Sequence, residues 1–191
     1  MKKEKIYFIL SDVHSFYRGF LSTLKKLGYN PSNEQHYLIL TGDLFDRGPD
    51  TIPLFKYLTT KVDQSRLILV RGNHESLFNQ LKNKSVPEDY DYSNGTVRTF
   101  CQIGNWLDSN RIEDYSPVML DSLCWHGYLS FLQVWHHLRV NCVVGSPIDK
   151  FINDNTKWHD YYQIPGTPFI CTHAFVPFVY TADWRDASSS E

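Results

Sequence analysis

An α/β fold built on a parallel sheet is the architecture this sequence predicts, and three observations predict it. Residues 6–10, 37–40 and 67–70 are short apolar runs, each the size of a strand buried on both faces. Stretches of helical period separate them. Each run ends in a polar loop carrying carboxylate, amide or imidazole side chains, at the strand ends where open α/β sheets place their function.

The elements follow in order. After the first run, Phe16, Phe20, Leu21, Leu24 and Leu27 share one helical face, and Gly28 supplies the stop. After the second, a Pro49-Asp50 start leads into Ile52, Leu54, Phe55 and Leu58. The third run completes a βαβαβ unit, for which right-handed connections are expected. Residues 85–94, rich in Pro, Asp and Ser, predict a loop. Residues 96–107 and 117–138 return to helical period with many aromatics, so a helical insertion is expected over about 95–140. Residues 169–172 read as a fourth short strand whose tip joins the same rim, and 187–191 as a disordered tail. The whole, 1–191, is expected to be one domain.

Composition narrows the classes of function. Hydrophobic residues at 42 % and charged residues at 21 % exclude a disordered or coiled-coil chain. A formal charge of -2 gives no electrostatic ground for nucleic acid or an anionic membrane as partner. The first apolar run is too short for an export signal, and the span-length stretch 118–138 is interrupted by Asp121, Gln133 and three histidines. Cys101, Cys124, Cys142 and Cys171 lack CxxC spacing, so mostly buried, reduced thiols in a cytoplasmic protein are expected. Aromatics reach 15 %, and Trp125, Tyr128, Phe131 and Trp135 read as core of the insertion. Part of the apolar surface in 118–138 and 169–184 is expected to await further chain or a partner.

The loops carry the chemistry. They are Asp12-Val13-His14, then Gly42-Asp43-Leu44-Phe45-Asp46-Arg47-Gly48, then Gly72-Asn73-His74-Glu75, with Thr172-His173 after the fourth run. Mixed oxygen and imidazole donors of this kind suit Mn, Fe or Zn. Gly42 and Gly72 stand where a strand must turn sharply, and Arg47 offers a planar fork for two phosphate oxygens. His36, His126, His136, His137 and His159 fall outside these loops and are read as ordinary core or surface histidines.

In this order and at these spacings, the motifs resemble those of the calcineurin-like metallophosphoesterases. GDxxDRG with GNHE resembles their phosphoprotein phosphatase branch, which includes bacterial and phage Ser/Thr phosphatases. The resemblance covers residues 6–81 and returns at 169–177. It implies two packed sheets with helices outside, and two divalent cations, with Mn the expected activator in vitro. Asp12 and His14 would hold the first cation, Asp43 would bridge, and Asn73 and His173 would hold the second. A metal-bridged hydroxide would then attack phosphorus, with His74 as proton donor oriented by Asp46. Arg47, and Arg185 after Trp184, would bind phosphoryl oxygens.

Two departures shape the expectation. Ser11 and Ser15 stand where the family has glycine, so a tighter first loop is expected. The family carries a further metal-binding histidine in a downstream Gly-His motif, and no histidine follows His173. A chain truncated at its C-terminus, with an incomplete second sheet, is the expectation that follows. The leading functional reading is a Ser/Thr phosphatase-like phosphomonoesterase, acting on a phosphoprotein or a small phosphoester. A dinucleoside polyphosphate hydrolase is one alternative; a catalytically impaired remnant or binding protein is the other.

Overall fold

Four parallel strands lie side by side in chain order: β1 (Ile6–Leu10), β2 (His36–Thr41), β3 (Leu67–Val70) and β4 (Trp158–His159). The computed structural model that places them describes residues 4–174. In register, Phe8 pairs with Leu38, Leu40 with Leu69, and Leu69 with Trp158. Alternate residues of a strand face opposite sides of the sheet. Phe8, Leu38, Leu40 and Leu69 join the main core beneath α1 (Tyr17–Leu27) and α2 (Thr51–Thr60). Tyr7, Tyr37, Ile39 and Ile68 pack the other way, against Tyr162, Ile164 and Cys171. Those residues belong to, or border, an antiparallel pair, β5 (Tyr162–Gln163) and β6 (Ile170–Cys171).

The two crossover helices form as their patterns predict. In α1, Phe20 and Leu24 are buried, and Gly28 at φ 79° lets its N–H reach the carbonyls of Leu24 and Lys25. In α2, Leu54, Phe55 and Leu58 are buried behind an Asp50 N-cap. The strand expected at 169–172 forms at Ile170–Cys171 and pairs with β5, whereas the position beside β3 is taken by Trp158–His159, which no expectation covered. Two residues leave no periodic signal, and their pairing is set by tertiary packing.

Everything from α3 to α8 lies in the crossover between β3 and β4. It comprises α3 (Asn73–Asn83), α4 (Asp89–Ser93), α5 (Thr96–Leu107), α6 (Pro117–His126), α7 (Tyr128–His137), a π-helical turn (Leu138–Val143) and α8 (Pro147–Ile152). Residues 85–94, expected as loop, thus include α4, beside which Lys84 Nζ pairs with Asp91 and Glu88 at 2.9 Å. Ser116 caps α6 by accepting the Met119 N–H, with Pro117 in the first turn.

Aromatic stacking ties this segment together. Phe78 of α3 meets Phe100 of α5 edge-on at 5.1 Å, and Phe100 stacks on Trp135 of α7 at 5.7 Å. Each such pair contributes about 0.5–1.5 kcal/mol beyond its burial. Phe131 and Trp135 are core, as expected, but Trp125 is 81 % and Tyr128 53 % exposed. Three cysteines are buried and Cys124 is exposed. Among the described residues no helix is long and apolar enough to cross a membrane.

Candidate active site

The loops leaving β1, β2 and β3 meet at the carboxyl-terminal end of the parallel sheet, and their backbone is strained. Asp12, His14, Ser15, Asp43, Asp46 and Arg47 have φ between 46° and 70°, and among the described residues no other non-glycine residue has positive φ. Each such conformation costs about 1–3 kcal/mol and persists only where its surroundings impose it. Here the surroundings are cross-loop hydrogen bonds. His14 N donates to the Asp43 carbonyl at 2.9 Å, Ser15 N to Leu44 at 2.8 Å, and Gly48 N to His14 at 2.8 Å. A Cβ on Gly48 would stand 2.2 Å from the His14 carbonyl oxygen, so only glycine fits that approach. Ser15, in a position that glycine would take freely, buries its hydroxyl 2.8 Å from Thr51 Oγ1.

Two clusters of acceptors form around Asp43. In the first, His14 Nδ1 donates to the Phe45 carbonyl at 3.1 Å, which leaves the Nε2 lone pair facing Asp43 Oδ2 at 3.7 Å and Asp12 Oδ1 at 3.8 Å. Burial pulls the His14 pKa below the usual imidazole value, against the Phe45 bond and with the Arg47 charge, so the ring is a neutral ligand. In the second, His173 Nδ1 donates to the Thr41 carbonyl at 2.7 Å, and Nε2 faces Asn73 Oδ1 at 3.2 Å and Asp43 Oδ1 at 3.4 Å. At the second cluster, lone pairs converging without a proton between them repel, and a cation at the focus removes the conflict; at the first, the Arg47 guanidinium, 3.1 Å from His14 Nε2, supplies positive charge to the same acceptors. Glycine is needed where the loops press against these acceptors: a Cβ on Gly72 would be 2.2 Å from Asp43 Oδ1, and one on Gly42 2.6 Å from His173 Nδ1. Asp12, Asp43 and His173 offer ligand atoms within 4.8 Å of one another, as do His14, Asp43 and His74, so the donor set fits hard or borderline divalent ions sharing Asp43.

Beside these clusters sits a carboxylate–imidazole pair. His74 Nδ1 donates to Asp46 Oδ2 at 2.8 Å, both residues being buried. Burial opposes a charged His74, but the hydrogen bond to Asp46 and the charges of Asp46 and Asp43 outweigh it, and the pKa rises above the usual value. Arg47 reaches both rings, with Nη1 3.1 Å from His14 Nε2 and Nη2 3.2 Å from His74 Nε2.

Eight of the nine residues expected in the site thus converge: Asp12, His14, Asp43, Asp46, Arg47, Asn73, His74 and His173. Arg185 lies outside the described residues. Three further residues support the centre and carry no motif role in the sequence reading. Glu75, 2 % exposed, accepts from Gly72 N at 2.8 Å and Asp43 N at 3.1 Å on Oε2, and from Leu44 N at 3.0 Å on Oε1. It pins the β2 and β3 loops together while helping to start α3. Thr96 and Thr99, from the first turns of α5, bond the Asp46 carboxylate at 2.8 and 2.7 Å. GNHE signals Glu75; no local signal marks the threonines.

Known proteins align with part of the chain. A bis(5'-nucleosyl)-tetraphosphatase (symmetrical) of Buchnera aphidicola subsp. Schizaphis graminum is 32 % identical over 106 residues, which cover 53 % of this chain and 37 % of that protein. The asymmetrical bis(5'-nucleosyl)-tetraphosphatase PrpE of Bacillus subtilis is 33 % identical over 87 residues, 42 % of this chain and 36 % of that protein. The chain thus spans little more than a third of the length of these curated relatives. A solved cold-active protein tyrosine phosphatase is 28 % identical, with a TM-score of 0.36, over 50 % of this chain and 31 % of that one. The calcineurin-like phosphoesterase model matches residues 7–189, nearly the whole sequence and every loop described above, and the chain belongs to that family.

Proposed function

We propose that this chain is a metal-dependent phosphoester hydrolase in which water attacks phosphorus directly. The observation that carries this reading is the pair of acceptor clusters sharing Asp43, set beside Arg47 and the Asp46-bound His74. Asp12, His14 and Asp43 would hold one cation, and Asp43, Asn73 and His173 the other. When bound, Mn, Fe or Zn ions there supply positive charge at the phosphoryl oxygens and acidify the attacking water.

The chain's own groups have defined tasks. Asp46 favours the charged form of His74, whose Nε2, facing Arg47, would donate to a leaving oxygen. A charged ring 3.2 Å from the Arg47 guanidinium repels it, and a phosphoryl group between the two relieves that repulsion. Arg47 then forks onto two phosphoryl oxygens and stabilises the charge that grows in the transition state. Residues 1–191 act here as one domain, with the insertion braced against the site.

For the substrate, the names of the tetraphosphatase relatives support a small phosphoester of the bis(5'-nucleosyl) polyphosphate kind. GDxxDRG with GNHE supports a second reading, dephosphorylation of Ser/Thr phosphoproteins. The test is turnover of diadenosine tetraphosphate, a phosphoserine peptide and p-nitrophenyl phosphate with added Mn, run beside Asp43→Asn. Asp43→Asn is expected to lower the favoured rate at least about 100-fold, since it removes charge shared by both cation positions. Equal background rates for wild type and variant would refute hydrolysis and favour a binding protein.

A further inference from the structure

Apart from its bond to His74, the Asp46 carboxylate draws its side-chain partners from α5. Thr96 Oγ1 donates to Oδ2 at 2.8 Å and Thr99 Oγ1 to Oδ1 at 2.7 Å, across 50 and 53 positions of sequence. Thr99 Oγ1 also accepts the Asp46 backbone N–H at 3.0 Å, which commits its single proton to the carboxylate. Threonine within a helix commonly turns its hydroxyl back to the preceding turn, as Thr59 and Thr60 do in α2. Thr96 and Thr99 turn theirs outward, to one anion, and both residues are 0 % exposed.

Gly95 makes this approach possible. It sits at φ 82°, and a Cβ there would come within 2.4 Å of Arg47 N. The first turn of α5 therefore lies directly on the Asp46-Arg47 backbone, with the positive end of its peptide dipoles toward the buried carboxylate.

We infer that Thr96 and Thr99 are positioning residues of this centre: they hold the Asp46 carboxylate in the orientation that presents Oδ2 to His74 Nδ1. The inference rests on the hydrolase reading and gives the helical insertion a task within it. With Oδ1 and Oδ2 tethered separately, the carboxylate cannot rotate. The His74 ring it grips keeps Nε2 turned toward the site.

The test compares leaving groups. Protonation by His74 matters for a poor leaving group, such as phenolate from phenyl phosphate, and little for p-nitrophenolate. Thr96→Val and Thr99→Val, which replace a hydroxyl by a methyl, are each expected to lower kcat on phenyl phosphate about 10- to 100-fold. On p-nitrophenyl phosphate the loss stays within about 3-fold, KM changes little on both esters, and Thr→Ser restores the wild-type ratio. Equal slowing of both esters, or failure of serine to rescue, would overturn the inference. Where a valine variant does not fold, the alanine variant, which leaves room for water, is expected to show the same selective loss.

A second readout is independent of turnover. The His74 Nδ1–H proton held by Asp46 is expected to give a slowly exchanging NMR signal in wild type and the serine variants, and a faster-exchanging one in the valine variants. An unchanged signal in the valine variants would also overturn the inference. Absence of turnover of both esters by the wild-type chain would refute the hydrolase reading instead, and this proton signal would still decide the positioning role.

Discussion

Glu75→Gln isolates a single brace of the site. The buried carboxylate receives Gly72 and Asp43 N–H on Oε2 and Leu44 N–H on Oε1, at 2.8, 3.1 and 3.0 Å. In the better of its two orientations, glutamine keeps an oxygen toward Gly72 and Asp43 and turns its NH2 toward Leu44. One buried N–H is then orphaned, at about 1–3 kcal/mol, and the other two bonds lose their charge assistance, at about 1 kcal/mol each. Part of this returns, because burial pushes the Glu75 pKa up and the amide spares the cost of burying charge. The net expectation is a loss of about 3 kcal/mol, which for a chain of this size lowers Tm by about 6–12 °C. Urea and thermal unfolding followed by circular dichroism, with EDTA present to remove metal linkage, measure it. A loss below about 1 kcal/mol would refute the reasoning, because it would mean that the three amides find other partners.

Two further outcomes follow from the remaining geometry. In the native protein a thiol reagent should label Cys124 quickly and the other three cysteines slowly, since those are buried and burial pushes the Cys101 thiol up to about 12; rapid labelling of all four would contradict this packing. Asp108 accepts from Tyr115 Oη at 2.6 Å and pairs with His137 Nε2 at 3.0 Å, with the Tyr115 bond foremost in holding its pKa below the usual carboxylate range. Its stabilisation is present above the unfolded carboxylate pKa, about 4, and is lost as pH falls through the lower folded value. Asp108→Asn should therefore cost about 1 kcal/mol at neutral pH and progressively less in acid, and a cost independent of pH would contradict it.

Legibility in the sequence followed how local each cause is. The strands β1 to β3 and helices α1, α2 and α5 arise from periodicity and end signals within their own residues, and their predicted cores, such as Phe20, Leu24, Leu54 and Leu58, are buried. The ligand-type residues were legible because a strand tip fixes where its next few side chains go. Trp158–His159 was not, since a two-residue strand exists only through its pairing with β3. Trp125 and Tyr128 misled because an aromatic side chain does not state whether it is buried. Thr96 and Thr99 were silent for a different reason. A hydroxyl on a helix acquires its task only when the fold brings a carboxylate to it from 50 residues away.

The two halves of the site also differ in how far along the chain their anchors lie. His14 is oriented by Phe45, 31 positions on, whereas His173 is oriented by Thr41 across 132 positions. Closing a loop roughly four times longer costs about 1 kcal/mol more in chain entropy, and every residue of the β3 to β4 crossover must be synthesised first. A ribosome therefore releases the first half ready to close well before the second exists. A chain nicked within that crossover would keep His14, Asp12 and Asp43 in one fragment while depending on reassociation to recover His173.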